Sequence, residues 1–113
     1  MSYDISLEHN GVVTKSKNII AEGGTQIVGG TNKCELNITY NYSKIYSKFN
    51  FSLKDLNGNS GKDTKDILFN LISTLGINRD DDYWKPTNGN AGYALNILMG
   101  WAKEFPEAIW IVL

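Results

Sequence analysis

The sequence has little of what builds zinc sites, disulfides and catalytic triads. Its 113 residues include one cysteine, Cys34, and one histidine, His9. One cysteine excludes an internal disulfide, and one histidine gives no support to a histidine-based zinc site or a Ser-His-Asp triad. No acid–base pair or activated nucleophile can be assembled from the other side chains. We therefore predict no enzymatic activity, no catalytic residues, no metal and no cofactor.

A charge excess and long apolar runs are also missing. The 11 basic and 12 acidic side chains give a net charge of −1, which is too balanced for a protein that binds nucleic acid directly. No apolar run approaches the roughly 18 residues that span a bilayer. The first ten residues lack the basic and apolar regions of a signal peptide. We expect a cytoplasmic protein without membrane association.

The N-terminal part of the chain has the alternation of half-buried strands. Residues 3–8 alternate apolar and polar side chains and lead into Asn10-Gly11, a strong signal for a tight hairpin turn. Residues 12–21 are predicted to return as a second strand. Two Gly-Gly-Thr turns, residues 23–25 and 29–31, flank a third short strand.

The clearest predicted strand runs from Cys34 to Tyr42. Apolar and polar side chains alternate along all nine positions, so one face of the strand should be buried. Cys34 begins the apolar face and is predicted to be a buried structural thiol rather than a nucleophile. The residues of the predicted buried face are Cys34, Leu36, Ile38, Tyr40 and Tyr42.

Helices dominate the second half of the chain. A short helix, Lys44 to Phe49, is predicted after Ser43, burying Ile45 with either Phe49 or Tyr46. Residues 52–62 are rich in Asn, Gly, Ser and Lys and are predicted to form a mobile loop. A helix from Asp63 or Thr64 to Gly76 and another ending before Pro106 have apolar stripes. The stripes are Ile67, Leu68, Leu71, Ile72 and Leu75, and then Ala91, Ala94, Leu95, Leu98, Trp101, Ala102 and Phe105.

This order of elements predicts a single α+β domain over residues 1–113. Residues 1–42 are mainly β and residues 43–113 mainly α, so an antiparallel sheet should be covered on one face by two C-terminal helices. The apolar tail from Ile109 to Leu113 is either a final strand or a contact with another subunit. A homodimer through Trp110 to Leu113 is therefore one prediction for the oligomeric state.

The candidate binding site lies between the two long helices. Tyr83 and Trp84 precede the break at Lys85-Pro86, and a polar turn then opens the second helix. Free N–H groups at a helix start attract anions, and glycines allow close approach to the backbone. Trp84 is equally consistent with a stacking ring and with a core plug. The predicted ligand-binding residues are Tyr83, Trp84, Lys85, Thr87, Asn88, Gly89 and Asn90, with Gly23, Gly24 and Thr25 from the first Gly-Gly-Thr turn.

The acids before this turn, Asp80, Asp81 and Asp82, are of the ligand type that hard cations prefer. Consecutive residues rarely converge on one ion, however, so we predict a solvated acidic stretch and no metal site. The turn also lacks the Gly-Lys-Ser/Thr of a nucleotide-binding P-loop and the glycine pattern of a dinucleotide fold.

Several segments form a combination that is specific as a set: Glu22 to Thr25, Gly29 to Thr31, Glu35 to Tyr42, Asp80 to Thr87 and Gly89 to Ala91, with Pro106 and Trp110. Together they resemble a family of small, mostly uncharacterised proteins from phages, prophages and bacterial mobile elements. The family's closing segment is usually acidic and contains glycine, whereas here Ile111-Val112-Leu113 follows Trp110. The resemblance supplies no activity and no functional residues. It implies a protein of a bacterial host cell, in a genomic setting in which small accessory proteins are often counter-defence factors.

Three functions follow as hypotheses. The first is a non-enzymatic anti-defence protein that sequesters a small anionic, nucleotide-like ligand, which requires a concave pocket. The second is a protein inhibitor that docks on a host defence complex such as a CRISPR-Cas effector, as an anti-CRISPR does, and it requires an exposed patch. The third, a small enzyme of unknown reaction, has the least support, because no set of reacting groups is visible.

Overall fold

The computed structural model of the protein describes residues 1–16, 25–27 and 33–113, with only backbone pairing described for residues 25–27. These residues form an antiparallel sheet with α-helices on one face, which confirms the predicted α+β fold. The strands are β1 (Ser2–His9), β2 (Val12–Val13), β3 (Thr25–Ile27), β4 (Glu35–Thr39) and β5 (Ile109–Val112). The helices are α1 (Ser43–Ser47), α2 (Gly61–Leu75) and α3 (Asn88–Glu104).

The first strand, β1, lies at the centre of the sheet. It pairs with β4 along its first half, with β2 at its end, and with β5 along its other edge, while β3 extends the sheet beyond β4. Asn10 and Gly11 have φ values of 52° and 78°, so the predicted hairpin turn is confirmed. The returning strand β2 covers two residues. Residues 17–21 of the predicted second strand lie outside the described residues.

The predicted strand from Cys34 to Tyr42 ends early, at Thr39. The Thr39 side chain accepts a hydrogen bond from the Asn41 N–H and starts a 3-10 helix, Tyr40–Tyr42. This turn breaks the alternation, so Tyr40 is 38% exposed and its predicted burial was wrong. Tyr42 is buried, but it reaches the core through the turn rather than along the strand. The other members of the predicted face, Cys34, Leu36 and Ile38, are buried as expected.

Helix α1 follows directly from this turn and is shorter than predicted. It covers Ser43–Ser47, and Tyr42 rather than Ser43 occupies the N-cap position. Ile45 and Tyr46 are buried, whereas Phe49 is 41% exposed. Of the two aromatic residues proposed for burial, Tyr46 is therefore the one in the core.

Residues 52–62, predicted as a mobile loop, contain regular structure. A capping box between Ser52 and Asp55 starts a 3-10 helix, Leu53–Leu56, whose two leucines are buried. The polar composition suggested an irregular loop, but several of these polar side chains bond to backbone groups and stabilise helical turns. Its last residues already belong to α2.

The C-terminal tail forms β5, so the final-strand alternative describes the monomer. Trp110 is fully buried and donates its indole N–H to the Thr64 hydroxyl at 2.8 Å. The outer edge of β5 is covered by the chain itself: the Gly58 N–H donates to the Trp110 carbonyl, and the Trp110 N–H to the Asn59 carbonyl. A homodimer stays a prediction, and Leu113, at 81% exposure, is the tail residue most available to it.

The two long helices pack against each other over the sheet. Helix α2 begins at Gly61, after a Ser60 cap, so the predicted start was two to three residues late. Gly76 ends it with a φ of 78°, as predicted. In its stripe Leu68, Leu71 and Leu75 are buried and Ile72 partly so, whereas Ile67 is 42% exposed.

Helix α3 matches its prediction more closely. The Thr87 side chain caps it by accepting from the Asn90 N–H, and it ends at Glu104, before Pro106. Its predicted stripe is buried from Ala91 to Ala102, including Trp101. Within the described ranges no helix combines the length and the hydropathy needed to cross a bilayer.

Candidate functional site

The loop between α2 and α3, residues 76–87, is organised by the side chain of Asn90. This side chain has no exposed surface. Its Oδ1 accepts from the Asp80 N–H at 2.8 Å, and its Nδ2 donates to the carbonyls of Asp82 at 3.1 Å and Lys85 at 2.9 Å. One buried amide thus holds three points of the loop. The amide predicted to orient a ligand has these backbone groups as its partners.

The acidic stretch folds the same loop. The Asp80 carboxylate accepts from the Asp82 N–H at 2.9 Å, and the Asp82 carboxylate accepts from the Trp84 N–H at 3.1 Å. Such side-chain bonds to a backbone N–H two residues on replace regular secondary structure. Lys85 Nζ lies 3.8 Å from the second Asp80 oxygen. Among the described residues no cluster of metal-ligating side chains is found.

Two residues from the turn after β4 anchor the aromatic pair. The Tyr42 hydroxyl donates to the Tyr83 carbonyl, and Asn41 Nδ2 donates to the Trp84 carbonyl at 2.8 Å. Burial, together with nearby Asp82 and Tyr83, raises the pKa of Tyr42 above its usual range, so its hydroxyl stays a donor. The loop backbone is therefore fixed from both sides of Trp84.

The rings of this pair remain on the surface. The ring centroids of Tyr83 and Trp84 are 4.9 Å apart with an interplanar angle of 37°. Trp84 is 45% exposed and Tyr83 is partly buried. Of the two interpretations left open by the sequence, the core plug does not describe Trp84. It is a ring on a fixed loop with nearly half of its surface free.

The glycines at the start of α3 serve internal packing. A Cβ on Gly89 would overlap the Asn78 carbonyl, and a Cβ on Gly92 would overlap the Gly76 carbonyl. The close backbone approach expected at these glycines occurs, but the approaching group is the chain's own loop. Asn88 is exposed beside them.

The first Gly-Gly-Thr turn is only partly described. Gly23 and Gly24 lie outside the described residues, and Thr25 is described only as backbone in β3, where it pairs with Ile38. The other predicted site residues, from Tyr83 to Asn90, are brought together around one loop. Asn41 and Tyr42 belong to the same arrangement and were missed, because their contacts join distant parts of the chain and leave no local pattern.

Two concave surfaces formed by the described residues lie away from this loop. A depression of about 330 Å³ is on the outer face of the sheet, and another of about 240 Å³ is beside the end of α3. Trp84 lines neither. The second depression is lined by His9, Glu104, Phe105, Pro106, Glu107 and Ala108.

The buried thiol offers no reactivity. Cys34 is fully buried, and burial raises the pKa of its thiol to about 11, which disfavours the thiolate.

No protein-family model, curated protein or solved structure matches the chain. The loop itself offers a fixed aromatic ring, carboxylates and one lysine, a combination suited to contact with another molecule.

Proposed function

We propose that the protein is a non-enzymatic accessory protein of a phage or mobile element that docks on a host defence protein in the bacterial cytoplasm. An anti-CRISPR inhibitor of a CRISPR-Cas effector is one form of this role. The genomic setting comes from the family resemblance in the sequence. The docking mode is supported by one observation above all: Trp84 is 45% exposed on a loop whose backbone is hydrogen-bonded on both sides of it.

The arrangement of Trp84 matches the requirements of an interface anchor. Tryptophan and tyrosine are enriched among the few residues that supply most of the binding energy at protein interfaces. Ordering a side chain and its loop on binding lowers affinity. Here the Asp82 carboxylate, the Asn41 amide and the Asn90 amide hold the loop before any partner arrives. Binding would therefore require little further ordering.

The same contacts make anion sequestration the weaker alternative. The Asn90 amide and the space beside Gly89 are occupied by the loop's own backbone. Lys85, the basic residue of the predicted site, lies 3.8 Å from Asp80. Carboxylates beside Trp84 repel an anionic ligand that would stack on the ring. A protein partner with polar or basic groups around a pocket for Trp84 fits these charges better.

The test uses phage infection of a panel of host strains, each with one defence system. The parent protein should restore infection on at least one strain, and Trp84→Ala should lose this effect with a melting temperature close to the parent's. Loss of an anchor worth about 2 kcal/mol weakens binding roughly 30-fold. Phe69→Ala is the matched control, because Phe69 is another exposed aromatic residue, at 55%, on the surface of α2.

The outcomes separate the hypotheses. Full activity of Trp84→Ala would contradict the proposed anchor. An equal loss of activity in Phe69→Ala would show that the effect is not specific to the Trp84 loop, which would also contradict it. A native mass spectrum of the protein from infected cells gives the other arm. A nucleotide retained by the parent and by Phe69→Ala, and lost from Trp84→Ala, would establish the sequestering role instead.

A further inference from the structure

A second surface with recognition chemistry lies on the face of the sheet opposite the helices. Along β1 the residues that alternate with buried Ile5 and Leu7 point to this face. It contains the depression of about 330 Å³. Its lining combines the carboxyl-bearing residues Asp4, Glu8 and Glu35 with Ser6, Ile111 and Leu113.

Two of the three carboxylates in this depression are hydrogen-bonded to neighbours on the same face. Asp4 Oδ1 accepts from Asn37 Nδ2 at 2.8 Å, and Glu8 Oε2 accepts from the Ser6 hydroxyl at 3.1 Å. No lysine or arginine is among the described residues that line it. The described lining of the depression is therefore negatively charged.

An apolar rim accompanies these charges. Leu113 is 81% exposed and Ile111 is partly exposed, and both follow the buried Trp110 on β5. An exposed apolar rim is typical of a protein interaction site, and charges of one sign beside it favour a partner of the opposite charge.

We propose that this face binds a basic amphipathic segment of a partner protein, with lysine or arginine side chains on the carboxylates and apolar side chains on the Ile111–Leu113 rim. Charge complementarity selects this occupant. A second copy of the chain would bring the same carboxylates together, and a nucleic acid would bring phosphates to them. Basic amphipathic segments are common on proteins that bind nucleic acid. The proposal does not depend on the Trp84 loop.

The experiment is an NMR titration of the isotope-labelled full chain with a synthetic amphipathic helix of leucine and lysine. Amide shifts should change in β1, β4 and β5 and not in residues 80–87. The double variant Asp4→Asn/Glu35→Gln should weaken binding about three- to tenfold, because exposed charge pairs make small individual contributions. Leu113→Ser should weaken it independently of salt.

The control is a double variant with the same net charge as Asp4→Asn/Glu35→Gln. Asp66→Asn/Glu107→Gln removes two exposed carboxylates from other surfaces and should leave the affinity within twofold of the parent. If the control bound the helix as weakly as the test variant, net charge alone would explain the loss of affinity, and the proposal would be overturned. If oligolysine bound as tightly as the leucine–lysine helix, the apolar rim would contribute nothing to binding, and that part of the proposal would be wrong. A dimer of the free protein that Leu113→Ser dissociates, seen by sedimentation, would assign the face to a second copy.

Discussion

Two connecting segments, residues 52–60 and residues 76–87, each lead into a long helix and are folded by the same kind of bond. In the first, the Ser52 hydroxyl and the Asp55 carboxylate cap a 3-10 helix. In the second, the carboxylates of Asp80 and Asp82 bond to backbone N–H groups two residues on. Both follow the rule that short polar side chains satisfy backbone groups where regular structure is interrupted.

The segments differ in where they place their largest apolar side chains. Leu53 and Leu56 are 2% and 1% exposed, and the residues after them cover the edge of β5. Trp84 is 45% exposed, although side chains bond to both its backbone N–H and its carbonyl. The first segment uses its hydrogen bonds to support packing, which stabilises the fold. The second uses them to hold a ring in solvent, which gives the fold little, and this contrast is why we place function there.

The largest expected effect tests the packing side of this contrast. Leu56→Ala should lower the free energy of unfolding by about 2–5 kcal/mol, as other buried leucines do. Trp84→Ala should cost about 1 kcal/mol or less, for the lost contact with Tyr83. Urea unfolding followed by circular dichroism measures both. Similar losses in the two variants would show that Trp84 also supports the core.

The next effect tests how tightly the second segment is packed on α3. Gly92→Ala should cost roughly 3 kcal/mol or more, because its methyl group would overlap the Gly76 carbonyl, and backbone shifts of this kind exceed ordinary overpacking. Gly100→Ala is the control in the same helix, since nothing lies near its added Cβ. It should gain about 0.5–1 kcal/mol from helix propensity. Thermal melts of the pair would contradict the assigned packing if both variants were stabilised.

The smallest effect compares single side-chain bonds in the two segments. Ser52→Ala removes a helix cap and should cost about 1 kcal/mol, and Asp82→Ala removes one hydrogen bond to the backbone and should cost about as much. The near-ultraviolet circular dichroism should nevertheless change in Asp82→Ala alone, because the Trp84 ring loses a contact that fixes its backbone. An unchanged aromatic spectrum in Asp82→Ala would show that Asn41 and Asn90 hold the loop without it.

Local signals in the sequence were sufficient where structure is decided locally. Asn10-Gly11 predicted a hairpin, Gly76 a helix end and the polar turn after Pro86 a helix start, and all three are present. Alternation also placed Ile38 in the core. These features depend on backbone conformation and on neighbours within a few residues, which composition and spacing report well.

Features that depend on distant partners were missed or misread. The glycines at 89 and 92 correctly indicated a close approach, but only the fold shows that Asn78 and Gly76 are the approaching groups. Asn41 donates a hydrogen bond to the Trp84 carbonyl, and the two residues are too far apart in the sequence for any periodic pattern to predict this contact. Residues 52–62 have the composition of a loop, and the burial of Leu53 and Leu56 depends on the whole fold, although the Ser52–Asp55 capping box beside them is a local signal.

The position of β5 has a consequence for how the protein folds. Leu7 in β1 is paired with Trp110 in β5, and residues 57–60 cover the other edge of β5. One edge of β1 therefore stays unpaired until residues 109–112 reach it. Contacts this distant in sequence form slowly, and an open strand edge invites pairing with other chains. We therefore expect the arrival of β5 to decide between folding and aggregation.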